Sequence, residues 1–173
     1  MRKKWLSILC VCVMLLSMAG TVSAGTAHDL NSLLNRGMHL PSIVNTIDSK
    51  IGCSYSFGAA GPNSFDCSGL VWYSYYLQNG IGLGSTHGSA EIAQYLNGQG
   101  GSCTSASLLP LDLIFYDLST SNDNKFLKID HVAIYLNNGS NVLAEARPSY
   151  GVVYSNYRRN QSKEVFYADP FVT

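Results

Sequence analysis

The hydrophobic period of this chain changes once, and that change bounds its architecture. Between Pro41 and Leu96 the apolar residues recur three and four apart, whereas from Leu111 onward they alternate. Pro41 suits a first helical turn, and Ile43, Val44 and Ile47 follow as one stripe that ends near Ile51-Gly52. Asp66 is a good N-cap for a second helix, in which Cys67, Leu70, Val71, Ser74 and Leu77 share a face until Asn79-Gly80 stops it. A third helix over residues 89–96 presents Ile92, Tyr95 and Leu96. Residues 111–116, 130–136 and 141–146 then read as strands, with weaker ones at 152–154 and 164–167. Helices followed by antiparallel strands give an α+β fold.

The ends of the chain add a compartment. Arg2, Lys3 and Lys4 precede an apolar run over residues 5–19 that is too short and too early for a stop-transfer span. This is a signal-peptide pattern, with cleavage expected after Val22-Ser23-Ala24 and a secreted product starting near Gly25. A lipoprotein site is not expected at Cys10, which bulky Leu9 precedes and which follows too little apolar sequence, nor at Cys12, which is no better placed. No later run has spanning length. Residues 25–40 are polar and interrupted by Gly37, with only Leu30, Leu33 and Leu34 at helical spacing, and read as a loosely held lead-in. Residues 41–173 are then a single domain, expected to be monomeric.

Charge narrows the partners. Removing Arg2, Lys3 and Lys4 from the eleven Lys and Arg leaves eight, against eleven Asp and Glu, so the exported chain is mildly acidic. Without clustered Lys and Arg a nucleic-acid partner is not expected. No metal site is expected, because Cys53, Cys67 and Cys103 have no paired spacing and the histidines at 28, 39, 87 and 131 are scattered. Gly98-Gln99-Gly100-Gly101 lacks the surroundings of a phosphate loop, and no cofactor is expected.

The chemistry is carried by a cysteine and a histidine. Amide hydrolysis by a thiol needs a thiolate, a base that later protonates the leaving amine, and a group that orients the base. Cys67 falls in the first turn of the Asp66-capped helix, where free N–H groups and the helix dipole favour negative charge. The same N–H groups suit an oxyanion. His131 opens a strand in which His131, Ala133 and Tyr135 point one way while Val132, Ile134 and Leu136 belong to the core. Asn137-Asn138-Gly139 reads as a three-residue hairpin loop with Gly139 in the left-handed position, which sets Glu145 directly across from His131 on the same face. A register shift of one turns Glu145 away and leaves it an ordinary surface residue. Asp130 points to the opposite face.

The segment from Tyr55 through Gly58, Asp66, Cys67, Ser68 and Gly69 to Val71 resembles the motif block of the NlpC/P60 cysteine peptidases. Leu109-Pro110-Leu111-Asp112 is similar to that family's Pro-Gly-Asp-Leu strand, and Asp130-His131 through Asn138-Gly139 to its histidine strand and turn. The resemblance covers roughly residues 41–171. It implies a papain-like core, with the nucleophile at a helix start against an antiparallel sheet, and a Cys67, His131 and third-residue site. The implied substrate is the peptidoglycan stem peptide, cut at a D-γ-glutamyl bond to a diamino acid. By the same resemblance Tyr55, Asp66 and Ser68 belong to the substrate site.

Four positions depart from the family pattern. Ala59 and Leu111 replace glycines, and His87 stands in the segment Ser85-Thr86-His87-Gly88-Ser89 where the family often has an arginine. Strict alignment from His131 puts the third position, usually His, Asn or Gln, on Leu143, whereas a small insertion in the hairpin restores Glu145. Two other readings fit the same residues: an amidase or acyltransferase on one Cys-His scaffold, and an inactive wall-binding module. If Cys67 must stay free in an oxidising compartment, Cys53 and Cys103 either pair in a disulfide or remain two unpaired buried thiols. The papain-like arrangement puts both on connecting segments at one end of the domain. The loop so closed, about fifty residues, is worth roughly 4 kcal/mol.

Overall fold

The computed structural model describes residues 28–120, 124–137 and 142–172, with the side chains of 157–159 not described. The expected signal peptide, the first residues of the lead-in and the Asn138-Gly139 turn lie outside these residues. Among the described residues, three α-helices and a five-stranded antiparallel sheet make the α+β fold expected from the change of period. Helix α1 spans Leu30–Lys50, α2 Cys67–Val71 and α3 Ser89–Gly98. The short strands β1 (Ser54–Tyr55) and β2 (Ser64–Phe65) pair in parallel beside the main sheet. The main sheet comprises β3 (Leu113–Tyr116), β4 (His131–Tyr135), β5 (Val142–Arg147), β6 (Gly151–Asn156) and β7 (Glu164–Ala168), in the order β6-β5-β4-β3-β7. No helix among the described residues is long and apolar enough to cross a membrane.

Helix α1 corrects the reading that a helix begins at Pro41. It begins at Leu30, capped by the Asp29 carboxylate, which accepts from Ser32 N at 2.8 Å, and it runs through Pro41. The inward stripe is Ser32, Arg36, Ile43 and Ile47, whose first half is polar and so carries no hydrophobic signal. Leu30, Leu33 and Leu34 face outward. The lead-in is also not loosely held. The Arg36 guanidinium is buried and bonds Asp112 Oδ1 at 2.7 Å and Asp169 Oδ1 at 2.8 Å, with a further bond to Pro110 O. Ser32 Oγ donates to Asp169.

Helix α2 starts at Asp66 as expected, but from Trp72 to Leu77 it widens into a π-helical segment. The wider turn moves the inward face, so Tyr75 is fully buried and Leu77, expected inside, is 52% exposed. Ile43, Ile47, Val71, Tyr75, Ile92 and Leu96 from the helices pack against Leu113, Phe115, Val132 and Ile134 of the sheet as the main core. Ala133 and Tyr135 face the other way, as alternation requires, into a smaller cluster with Ile114, Tyr116 and Leu143.

The β4–β5 hairpin corrects the expected register. Ile134 pairs with Ala144 and Tyr135 with Leu143, and Leu136 N donates to Val142 O, so the connection runs over 137–141 rather than three residues. Asn137 takes a positive φ of 41°, entering the turn earlier than a Gly139-based loop would. The shift is two residues, and a strand alternates with period two, so Glu145 stays on the face of His131 as its diagonal neighbour.

Candidate active site

The helix start is built by Asp66. Its Oδ1 accepts from Gly69 N at 2.6 Å and from Ser68 Oγ at 3.1 Å, and its Oδ2 accepts from Gly58 N at 2.7 Å. One carboxylate therefore ties the Tyr55 loop to the first turn of α2. Gly69 permits this approach, because a Cβ there would lie 2.0 Å from Ala59 O. The first intrahelical bond runs from Leu70 N to Asp66 O, leaving the Cys67 and Ser68 amides ahead of it.

Cys67 is 7% exposed, and its Sγ lies 4.0 Å from the carbonyl oxygen of Asp130, which brings it to the first residue of β4. His131 Nε2 contacts Glu145 Oε2 at 2.6 Å, with both side chains buried. That leaves Nδ1 free to face the thiol, whose proximity raises the imidazole pKa. The Tyr116 ring lies 5.7 Å from the imidazole. Burial opposes the imidazolium form of His131, but the contacts with Cys67 and then Glu145 outweigh it, and the pKa is raised to about 9.

Two residues that the sequence reading missed hold Glu145. Ser155 Oγ donates to Glu145 Oε1, and Arg147 Nε stands 4.0 Å from the same oxygen. Ser155 lies opposite Leu143 on β6, a strand whose alternation is weak in the sequence. Leu143 itself packs in the smaller core cluster with Tyr116 and Tyr135. Asp130 Oδ1 accepts from Leu118 N at 2.8 Å.

An open cleft runs over Cys67, lined by Tyr55, Phe57, Asp66, Ser68, His87, Glu91, Lys125 and Asp130. All three residues expected at the substrate site line it. Ser68 and Asp66 are buried, and the Asp66 carboxylate is occupied by its internal bonds. Tyr55 lines the same cleft as Cys67, and its hydroxyl has its pKa raised by burial and then by the charges of Cys67 and Asp66.

The expected Cys53–Cys103 disulfide is not formed, and Cys53, Cys67 and Cys103 are all free. Cys53 O accepts from Val152 N on β6, whereas Cys103 N donates to Tyr167 O on β7. Those strands are opposite edges of the sheet, and four inter-strand spacings of about 4.8 Å far exceed bridging range. The fold instead brings Cys103 together with His28 and Asp112, their candidate ligand atoms within 4.8 Å of one another, although their sequence positions look scattered. Asp112 is already bonded to Arg36 and to Leu109 N, and burial followed by the charges of Asp112 and Asp169 pushes the Cys103 thiol up to about 12. The cluster is a structural anchor for the start of α1.

The comparisons with known proteins agree with this geometry. Relatives named "Probable endopeptidase p60" match from Listeria seeligeri, 36% identical over 114 residues, and Listeria monocytogenes, 35% identical over 114 residues. Each alignment covers 66% of this chain but only 18% and 20% of the relative, so the chain spans about a fifth of their length. Among solved structures, a Staphylococcus aureus protein described as similar to lipoprotein, NLP/P60 family, superposes with a TM-score of 0.62 at 28% identity. That match covers 90% of this chain and 47% of the other. The peptidoglycan hydrolase RipB of Mycobacterium tuberculosis superposes with a TM-score of 0.58 at 25% identity, over 78% of this chain and 66% of that one. Residues 52–169 match the NlpC/P60 family itself, and they contain the capped cysteine, the histidine strand and the carboxylate beside it. This chain belongs to the NlpC/P60 family.

Proposed function

We propose that this chain is an exported cysteine endopeptidase of peptidoglycan stem peptides, cutting the D-γ-glutamyl bond to the diamino acid. The observation that carries the reading is the Cys67 thiol at a capped helix start, against an imidazole whose far nitrogen is bonded to a buried carboxylate. The Cys67 thiolate attacks the carbonyl carbon, and the amides of Cys67 and Ser68 at the helix start stabilise the oxyanion. His131 gives its Nδ1 proton to the leaving amine, and the C–N bond breaks to leave an acyl-enzyme thioester. Water then attacks the thioester and loses a proton to His131, and the acid product and thiol are released. Glu145 holds the imidazole through Nε2 and stabilises its cationic form.

The name of the listerial relatives, endopeptidase, supports the reaction type and that of RipB, peptidoglycan hydrolase, the substrate class, and the basic and apolar start of the sequence supports export. The test is digestion of purified muropeptides followed by mass spectrometry. Release of a fragment ending in D-glutamate is expected. Cleavage only at the amide between sugar and peptide would overturn the bond assignment.

A further inference from the structure

His131, Glu145 and Ser155 lie on one diagonal across three adjacent strands. Glu145 is the diagonal neighbour of His131 on β4, and on its other side it pairs with Val153 of β6, so Ser155, two residues further along β6, shares its face. Ser155 Oγ donates to Glu145 Oε1 while Glu145 Oε2 meets His131 Nε2 at 2.6 Å, so the carboxylate is held at both oxygens. Glutamate has three rotatable side-chain bonds, and a carboxylate held through one oxygen keeps freedom that costs entropy to freeze. Anchoring the second oxygen fixes the plane of the group, and with it the direction in which the imidazole presents Nδ1. Arg147 supplies charge rather than that anchor. Its Nε stands 4.0 Å from Oε1, beyond hydrogen-bond range, and its guanidinium lies 4.4 Å from the centre of the Tyr150 ring. Ser155 is not among the described residues that line the cleft over Cys67, so its route to the reaction is through Glu145. It is half-buried on an edge strand, where truncation leaves the core packing intact.

We infer that Ser155 is a positioning residue for the hydrolysis: by fixing Glu145 Oε1 it aims the His131 imidazole at the Cys67 thiol. This role rests on the cysteine-peptidase reading given above. The test is turnover of a purified stem peptide by the full chain as wild type, Ser155→Ala, Ser155→Thr, Glu145→Ala and the double variant Ser155→Ala with Glu145→Ala. Loss of one hydrogen bond to a charged group should lower kcat about tenfold in Ser155→Ala, with KM nearly unchanged. Ser155→Thr, which keeps the hydroxyl on a β-branched side chain suited to a strand, should recover most of that loss. Because Ser155 acts through Glu145, adding Ser155→Ala to Glu145→Ala should cost almost nothing more. A further tenfold loss in the double variant would show an effect independent of Glu145 and overturn the inference. A kcat for Ser155→Ala equal to that of wild type would overturn it as well, and both results leave the proposed function standing. A wild-type enzyme that leaves the stem peptide intact would overturn the proposed function and this inference with it.

Discussion

His131 is where the site responds to pH. Its pKa is raised to about 9 against an ordinary value of 6.5, because the partners Cys67 and Glu145 outweigh burial. A raised folded-state value means that the imidazolium contributes stability fully below about 6.5 and loses it as pH climbs through about 9. In the proposed reaction the acyl-forming step draws on the same proton, so kcat should fall along an alkaline limb near that value. Glu145→Gln removes one of the groups that raise it, and a pH–rate profile should show the limb moving down; an unmoved limb would take Glu145 out of the site. On activity, His131→Ala should cost about 10²–10⁴-fold in kcat/KM, and Glu145→Ala should cost less, since an orienting group is easier to replace than a base. Glu145 was legible only in part: the period of two predicted its face correctly, but the turn that set its register was longer than Asn137-Asn138-Gly139 implied. Ser155 had no sequence signal, because its role depends on the pairing of β5 with β6.

At the scale of elements, the interiors were legible and the ends much less so. Strands β3 and β4 and the cap of α2 follow from alternation and from one aspartate, both local signals. The start of α1 was misread because its buried face is Ser32 and Arg36, whose partners Asp112 and Asp169 lie far along the chain. Arg36→Ala would leave those two buried carboxylates without their cation, and a loss of about 3–5 kcal/mol in denaturant unfolding is expected. A change below about 1 kcal/mol, the range of an exposed pair, would mean that the network is solvated. Leu111, which stands where the family has glycine, takes a φ of 75° while fully buried. Leu111→Gly should relieve backbone strain of about 1–2 kcal/mol, yet lose about 2–5 kcal/mol of packing as the side chain is deleted. A net loss of stability is expected from the same measurement.

For the whole molecule, the expected architecture and the observed one agree because the change of period at about residue 100 separates a helical layer from a sheet. What the linear sequence could not convey was which edge of that sheet each connection joins. Cys53 and Cys103 looked like partners on one end of the domain, and they belong to opposite edges. A chain beginning at Gly25 should therefore titrate three free thiols in denaturant, and Cys53→Ser with Cys103→Ser should leave unfolding under reducing and non-reducing conditions the same. A mapped peptide pair joining those two residues would contradict the fold.

The central claim is that Cys67 is the nucleophile, and the most direct measurement is turnover of a purified stem peptide by wild type and Cys67→Ala at matched concentration, read by mass spectrometry. Wild type should release the fragment ending in D-glutamate, and Cys67→Ala should release none while giving an unfolding curve close to wild type. Cleavage by Cys67→Ala at a rate near that of wild type would contradict the account.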